Sequence, residues 1–111
     1  MEIKISKEND ISIVSLEGSL DTNTSKEAGD QLDRLVEEGE LKLLIDLTNL
    51  EYVSSSGLRI LLATSKKLKP LKGEMRICGL NETVHEVFEI SGFTMIFKVL
   101  KTIEDAKADF Y

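Results

Sequence analysis

The stretch from Lys42 to Gly79 constrains this chain more than any other, because three hydrophobic patterns follow one another there in an order that admits one reading. Leu43-Leu44-Ile45 with Leu47 is an almost unbroken apolar run. A strand that lacks polar alternation is covered on both faces and has parallel neighbours. After a loop from Thr48 to Ser56, the residues Leu58, Leu61, Leu62 and Leu68 recur at the helical period, and Pro70 ends that helix at about Lys69. Glu74-Met75-Arg76-Ile77-Cys78 then alternates as a strand. Strand, helix and strand form a βαβ crossover, which requires parallel strands and a right-handed connection. The chain is therefore of the α/β class.

The flanking segments extend this unit. Ile3 and Ile5 alternate with Lys4 and Ser6, and a second apolar segment begins at Ile11 and Ile13 after the polar Lys7-Glu8-Asn9-Asp10. Together they predict an antiparallel hairpin whose second strand continues through Val14 and Leu16 and stops near Gly18. Asp21-Thr22-Asn23-Thr24 is a cluster of N-cap residue types, and Thr24 with Glu27 reads as a capping box. Ala28, Leu32, Leu35 and Val36 then line one helical face, with Gly39 as the stop. Asn81 can cap a short helix carrying Val84, Val87 and Phe88 that ends before Gly92. Met95 to Leu100 is expected as an edge strand, and Thr102 with Asp105 opens a last amphipathic helix through Ala106 and Phe110. The expected order is β-β-α-β-α-β-α-β-α, in a mixed sheet formed by one domain spanning residues 1–111.

Composition narrows the function classes. Net charge is −6, which works against sequence-independent attraction to phosphate backbones, so direct nucleic-acid binding is not expected. Cys78 is the single cysteine, which excludes an internal disulfide and a multi-cysteine zinc site. The opening Met1-Glu2-Ile3-Lys4 lacks a secretory pattern and no run reaches the ~20 apolar residues that span a bilayer. A cytoplasmic location without membrane insertion is expected, and the formal glycosylation sites at Asn23 and Asn81 are then without consequence. Abundant Lys and Glu with a lone Gln31 lean toward a heat-adapted source.

The candidate chemistry gathers at Val53-Ser54-Ser55-Ser56-Gly57-Leu58, between the end of the central strand and the start of the next helix. Ligands and modifications of open α/β sheets favour that edge. The positive end of a helix also favours an added phosphate. One serine suffices to cap a helix, and three exceed that need. Catalysis is not expected. Gly-x-Ser-x-Gly is absent, the one histidine, His85, falls on a distant helix as a surface residue, and no glycine-rich phosphate cradle is present. Asp21 and Asp46 end successive strands, where they either form an acid/base pair or metal site across the sheet edge or serve as caps. Cys78, alternating with Arg76, reads as a core residue.

The segment Leu44 to Leu58, Leu-Ile-Asp-Leu-Thr-Asn-Leu-Glu-Tyr-Val-Ser-Ser-Ser-Gly-Leu, resembles the central signature of the STAS family, named for sulfate transporters and anti-sigma-factor antagonists. Leu16 to Asp21, Gly73 to Met75 and Ile90 to Phe93 are similar to flanking pieces of the family, so the resemblance spans the chain. It implies a bacterial transcription regulator that works by partner switching, is not an enzyme and needs no cofactor or metal. Its partners would be an anti-sigma factor that is also a serine kinase, and a PP2C-type phosphatase. Aligned on Gly57 and Leu58, the modified residue is Ser55, Ser54 stands where the family carries aspartate and is expected to cap the helix in its place, and Ser54 and Ser56 remain alternative acceptors. Partner contacts would involve Ser54, Ser56, Gly57, Arg59 and Asp21, with Arg59, Lys66, Lys67 and Lys69 available to steer an acidic partner. A monomer or weak dimer is expected. Two alternatives remain: a STAS subunit that docks on a membrane transport complex, and a nucleotide or small-molecule sensor with its pocket near Asp21 and Ser55.

Overall fold

The computed structural model describes residues 1–111. Its elements are β1 (Glu2–Glu8), β2 (Ile11–Leu20), α1 (Ser25–Glu37), β3 (Lys42–Asp46), β4 (Leu50–Val53), α2 (Ser55–Leu68), β5 (Glu74–Cys78), α3 (Glu82–Ile90), β6 (Lys98–Leu100) and α4 (Ile103–Asp109). Short 3-10 turns follow α2 at Lys69–Leu71 and α3 at Phe93–Met95. The sheet runs β1-β2-β3-β5-β6; β1 and β2 are antiparallel and the other pairs parallel. This is the expected mixed α/β fold with its hairpin and crossovers.

One strand was not expected. Leu50–Val53 lies inside what the sequence presents as a loop, yet it pairs in parallel with the far end of β2. The long β2 has two successive neighbours: Ile11 to Ser15 face β3, and Gly18 to Leu20 face β4. The register shifts between Gly18 and Ser19, and Gly18 has φ +99°, a conformation open to glycine at little cost. This bulge carries β2 past Gly18, the expected end, to Leu20. The predicted edge strand is also shorter than Met95 to Leu100, because Phe93–Met95 turns as a 3-10 helix first.

Helices cover the sheet unequally. Leu43 and Ile45 of β3 belong to a core of 20 buried residues built with α1, α2 and α3, whereas Leu44 points the other way into a cluster of six with Ile11, Ile13, Cys78, Ala106 and Phe110. Strand geometry sends successive side chains to opposite faces, so the unbroken apolar run of β3 serves both layers. The small layer rests on α4 alone.

Candidate functional site

The site is built where β2 and β4 end together. The Ser54 amide donates to the Leu20 carbonyl at 2.9 Å, which fixes the turn into α2. Ser54 is extended (φ −96°, ψ 173°), and its hydroxyl accepts from the Gly57 amide at 3.2 Å as an N-cap. Gly57 is buried against β2: a Cβ there would stand 2.8 Å from both Leu20 O and Leu20 Cγ. Only a residue without a side chain lets α2 approach that closely. Gly57, expected among the partner contacts, is buried and seats the helix on β2.

The three serines are thereby given different tasks. Ser54 is spent on the cap. Ser56 is half-buried, with its Oγ 3.5 Å from Thr22 Oγ1 in the β2–α1 loop. Ser55, the first residue of α2, is exposed, and its hydroxyl has no hydrogen-bond partner within the chain. The amides of the first helical turn lack intrahelical acceptors, and no acidic residue occupies that turn.

Asp21 lies beside this surface but is already engaged. Its Oδ1 accepts from the amides of Asn23 (2.9 Å) and Thr24 (3.0 Å). The Thr24 amide foremost, with the Thr24 hydroxyl and the Asn23 amide, holds the carboxyl below the usual aspartate range. Thr24 is the N-cap of α1, but its hydroxyl accepts from the Asp21 amide (2.9 Å) and donates to Ser19 O (2.8 Å), so the expected capping box with Glu27 does not form. Asp46 sits elsewhere. Its register neighbour on β2 is Ser15, and Asp21 lies six positions further along, roughly 20 Å at ~3.3 Å per residue. Asp46 accepts instead from the Thr48 amide (3.1 Å) and hydroxyl (2.5 Å). The two carboxylates form neither an acid/base pair nor a metal site.

Arg59 is exposed one turn beyond Ser55 and has no carboxylate within 4 Å. The basic stripe expected on α2 is thinner than its sequence, since Lys67 is held by Asp33 of α1 at 2.5 Å. His85 is a surface residue beside Glu89, and Cys78 is fully buried, its thiol pushed up to about 12 by burial first and by the Asp46 charge second. Surface recesses lie elsewhere. One of about 320 Å³ sits among Lys7, Glu40, Lys42, Lys72 and Glu74, and one of about 310 Å³ among Leu80, His85, Val99, Leu100 and Lys101. Neither recess is lined by Ser55 or Asp21. Thr22 and the Leu20 carbonyl are the members of the site that the sequence did not single out. The N-cap cluster beginning at Asp21 was the available signal for Thr22.

Residues 2–106 match the STAS domain. BtrV of Bordetella bronchiseptica, an anti-sigma factor antagonist by assignment, is 37% identical over 110 residues, covering 99% of this chain and 95% of its own. The anti-sigma F factor antagonist of Paenibacillus polymyxa is 31% identical over 101 residues, covering 90% and 84%. Among solved structures, the Bacillus cell fate determinant SpoIIAA in its phosphorylated form superposes with a TM-score of 0.77 at 18% identity, covering 99% of this chain and 100% of that one. That likeness is one of fold. No helix is long and apolar enough to cross a membrane.

Proposed function

The chain belongs to the STAS-domain family, and from that membership and the geometry at the start of α2 we propose that it is an anti-sigma factor antagonist whose partner binding is switched off by phosphorylation of Ser55. The observation that carries this reading is the division of labour among the serines: Ser55 alone is exposed and unengaged, while Ser54 caps the helix and Ser56 packs beside Thr22. The unmodified form binds an anti-sigma factor with serine kinase activity and so frees the sigma factor. The kinase transfers the γ-phosphoryl group of ATP to Ser55 Oγ. An O–P bond forms, the bond to the leaving ADP breaks, and the serine proton passes to a base of the kinase. A PP2C-type phosphatase reverses the step by hydrolysis. The protein acts as a monomer or weak dimer and regulates by binding.

Added phosphate brings about −1.5 to −2 charges and three acceptor oxygens. At a helix start each favourable charge is worth about 0.3 to 1 kcal/mol, so the fold tolerates the group. At the centre of a docked interface a misplaced charge costs several kcal/mol, and about 4 kcal/mol is a thousandfold in affinity. Phosphorylation thus changes the surface and leaves the scaffold alone.

The test is reaction with the cognate kinase and ATP, followed by site-resolved mass spectrometry and titration of variants. One phosphate on Ser55 is expected, with Ser55→Ala still binding the kinase and Ser55→Asp binding at least tenfold more weakly. Phosphate outside residues 54–56, or equal affinity of the two variants, refutes the reading.

A further inference from the structure

We propose that Arg59 is the intramolecular receiver of a phosphate on Ser55, its guanidinium closing onto the modified side chain one turn back. This inference rests on Ser55 as the acceptor and adds a second component to the switch. Modification then places negative charge on the docking surface and also withdraws the positive charge that the surface carries in the free form.

Ser55 and Arg59 are four apart on α2, the spacing at which side chains share one helical face with Cβ atoms about 5–6 Å apart. Both are exposed. An anion placed N-terminal to a cation at this spacing is the favoured order of an i,i+4 pair. Arg59 is the only cation in the first two turns of α2; Lys66 follows eleven residues after Ser55, about 16 Å along the helix and out of reach. It also has no competing carboxylate within 4 Å, whereas Lys67 is held by Asp33 and Arg76 by Glu74 and Asp109. In the unmodified chain its guanidinium is therefore left to solvent or to a partner. Guanidinium presents a planar fork of donors that matches two phosphate oxygens at once, a match that an ammonium does not provide. With the pair closed, the local charge moves from +1 to roughly −0.5 to −1.

The test uses the full chain with phosphoserine encoded genetically at position 55, so that it does not depend on any kinase. The second ionisation of the phosphate, near 6 in an unperturbed phosphoserine, is followed by phosphorus NMR. An adjacent cation favours the dianion and lowers that pKa. The wild-type value is expected about 0.4 unit below that of Arg59→Gln, equivalent to about 0.5 kcal/mol at 1.36 kcal/mol per unit. Arg59→Lys should fall between them and Lys66→Gln should match wild type. Helix amides at the start of α2 and the Asp21 carboxylate of the adjoining loop, which meets α2 through Thr22 and Ser56, are common to every variant and cancel in the comparison. Equal values for wild type and Arg59→Gln overturn the inference, as does an equal shift from Lys66→Gln, which would show only the general field of the helix. Either result leaves the Ser55 switch standing, while a kinase reaction that misses Ser55 refutes the switch independently of this titration.

Discussion

Gly57 is the residue on which the position of the acceptor depends, and Gly57→Ala tests the whole arrangement. In a helix interior alanine is better than glycine by about 0.8–1.0 kcal/mol, an upper limit for Gly57 in the first turn of α2, so propensity alone favours the substitution. The contact with β2 opposes this. The new Cβ would stand 2.8 Å from Leu20 O and 2.8 Å from Leu20 Cγ. The Leu20 carbonyl cannot turn aside, because it already accepts from the Ser54 amide. Overpacking of this kind costs about 1–3 kcal/mol, so the sum is a net loss of about 1 kcal/mol, with α2 displaced from Leu20. Gly29 of α1 supplies the control, since a Cβ there meets only the Ile60 side chain, Cγ2 at 3.4 Å and Cβ at 3.7 Å, ordinary contacts. Gly29→Ala should therefore gain up to ~1 kcal/mol. In urea unfolding the two variants should move in opposite directions from wild type. Thermal midpoints should follow, at about 4 °C or more per kcal/mol. Gly57→Ala should also slow phosphorylation of Ser55. If Gly57→Ala proves as stable as Gly29→Ala, the seating of α2 on Leu20 is not what the glycine is for.

Two further outcomes follow from the opposite side of the molecule. Asp10, held to about 2 by its hydrogen bond to Lys42 and then by Tyr111, has a depressed folded-state pKa, so its contribution is present above its ordinary value near 3.8 and is lost as pH falls toward 2; the gap in urea midpoint between wild type and Asp10→Asn should close over that window, and a gap unchanged at pH 2 would refute the pairing. Cys78 is buried in the small cluster that Phe110 closes, so an aromatic disulfide reagent at pH 8 should label it only through opening, and Phe110→Ala, a loss of about 3 kcal/mol, should speed labelling by about a hundredfold; an unchanged rate would mean that α4 does not guard that layer.

What the sequence revealed of the fold depended on how each element is held. β3, β5, α2, α3 and α4 were legible because each carries its own pattern: the apolar run at Leu43 to Ile45, the alternation at Glu74 to Cys78, and the caps Ser54, Asn81 and Thr102, whose side chains all accept from the helices they start. β4 was not legible. Its four residues are buried only at Leu50 and Val53, and they become a strand because β2, freed from β3 beyond Ser15, needs a partner for Gly18 to Leu20. That demand arises from tertiary placement and leaves no periodicity in Leu50-Glu51-Tyr52-Val53. Thr24 illustrates the same limit, since its spacing to Glu27 fitted a capping box while the Asp21 amide and Ser19 carbonyl were within reach of its hydroxyl. The serine cluster was legible as a place, and Ser54 as its cap, but how Ser55 and Ser56 divide exposure and packing was not. Only the approach of α2 to Leu20 decides which of the other two hydroxyls packs and which is left over.

On the proposed switch, that last decision explains how one chemical group can control binding without disturbing the domain. The scaffold at this edge is held by the Ser54 amide on Leu20 O, the Ser54 hydroxyl on the Gly57 amide and the close seating of Gly57, none of which involves the Ser55 side chain. A phosphate on Ser54 would remove the cap, and one on Ser56 would have to displace Thr22. On Ser55 it breaks no hydrogen bond and enters no packed volume, while the helix start favours its charge. The modification free energy is therefore not spent on unfolding or rearrangement, and the whole of it is expressed where a partner must desolvate that surface.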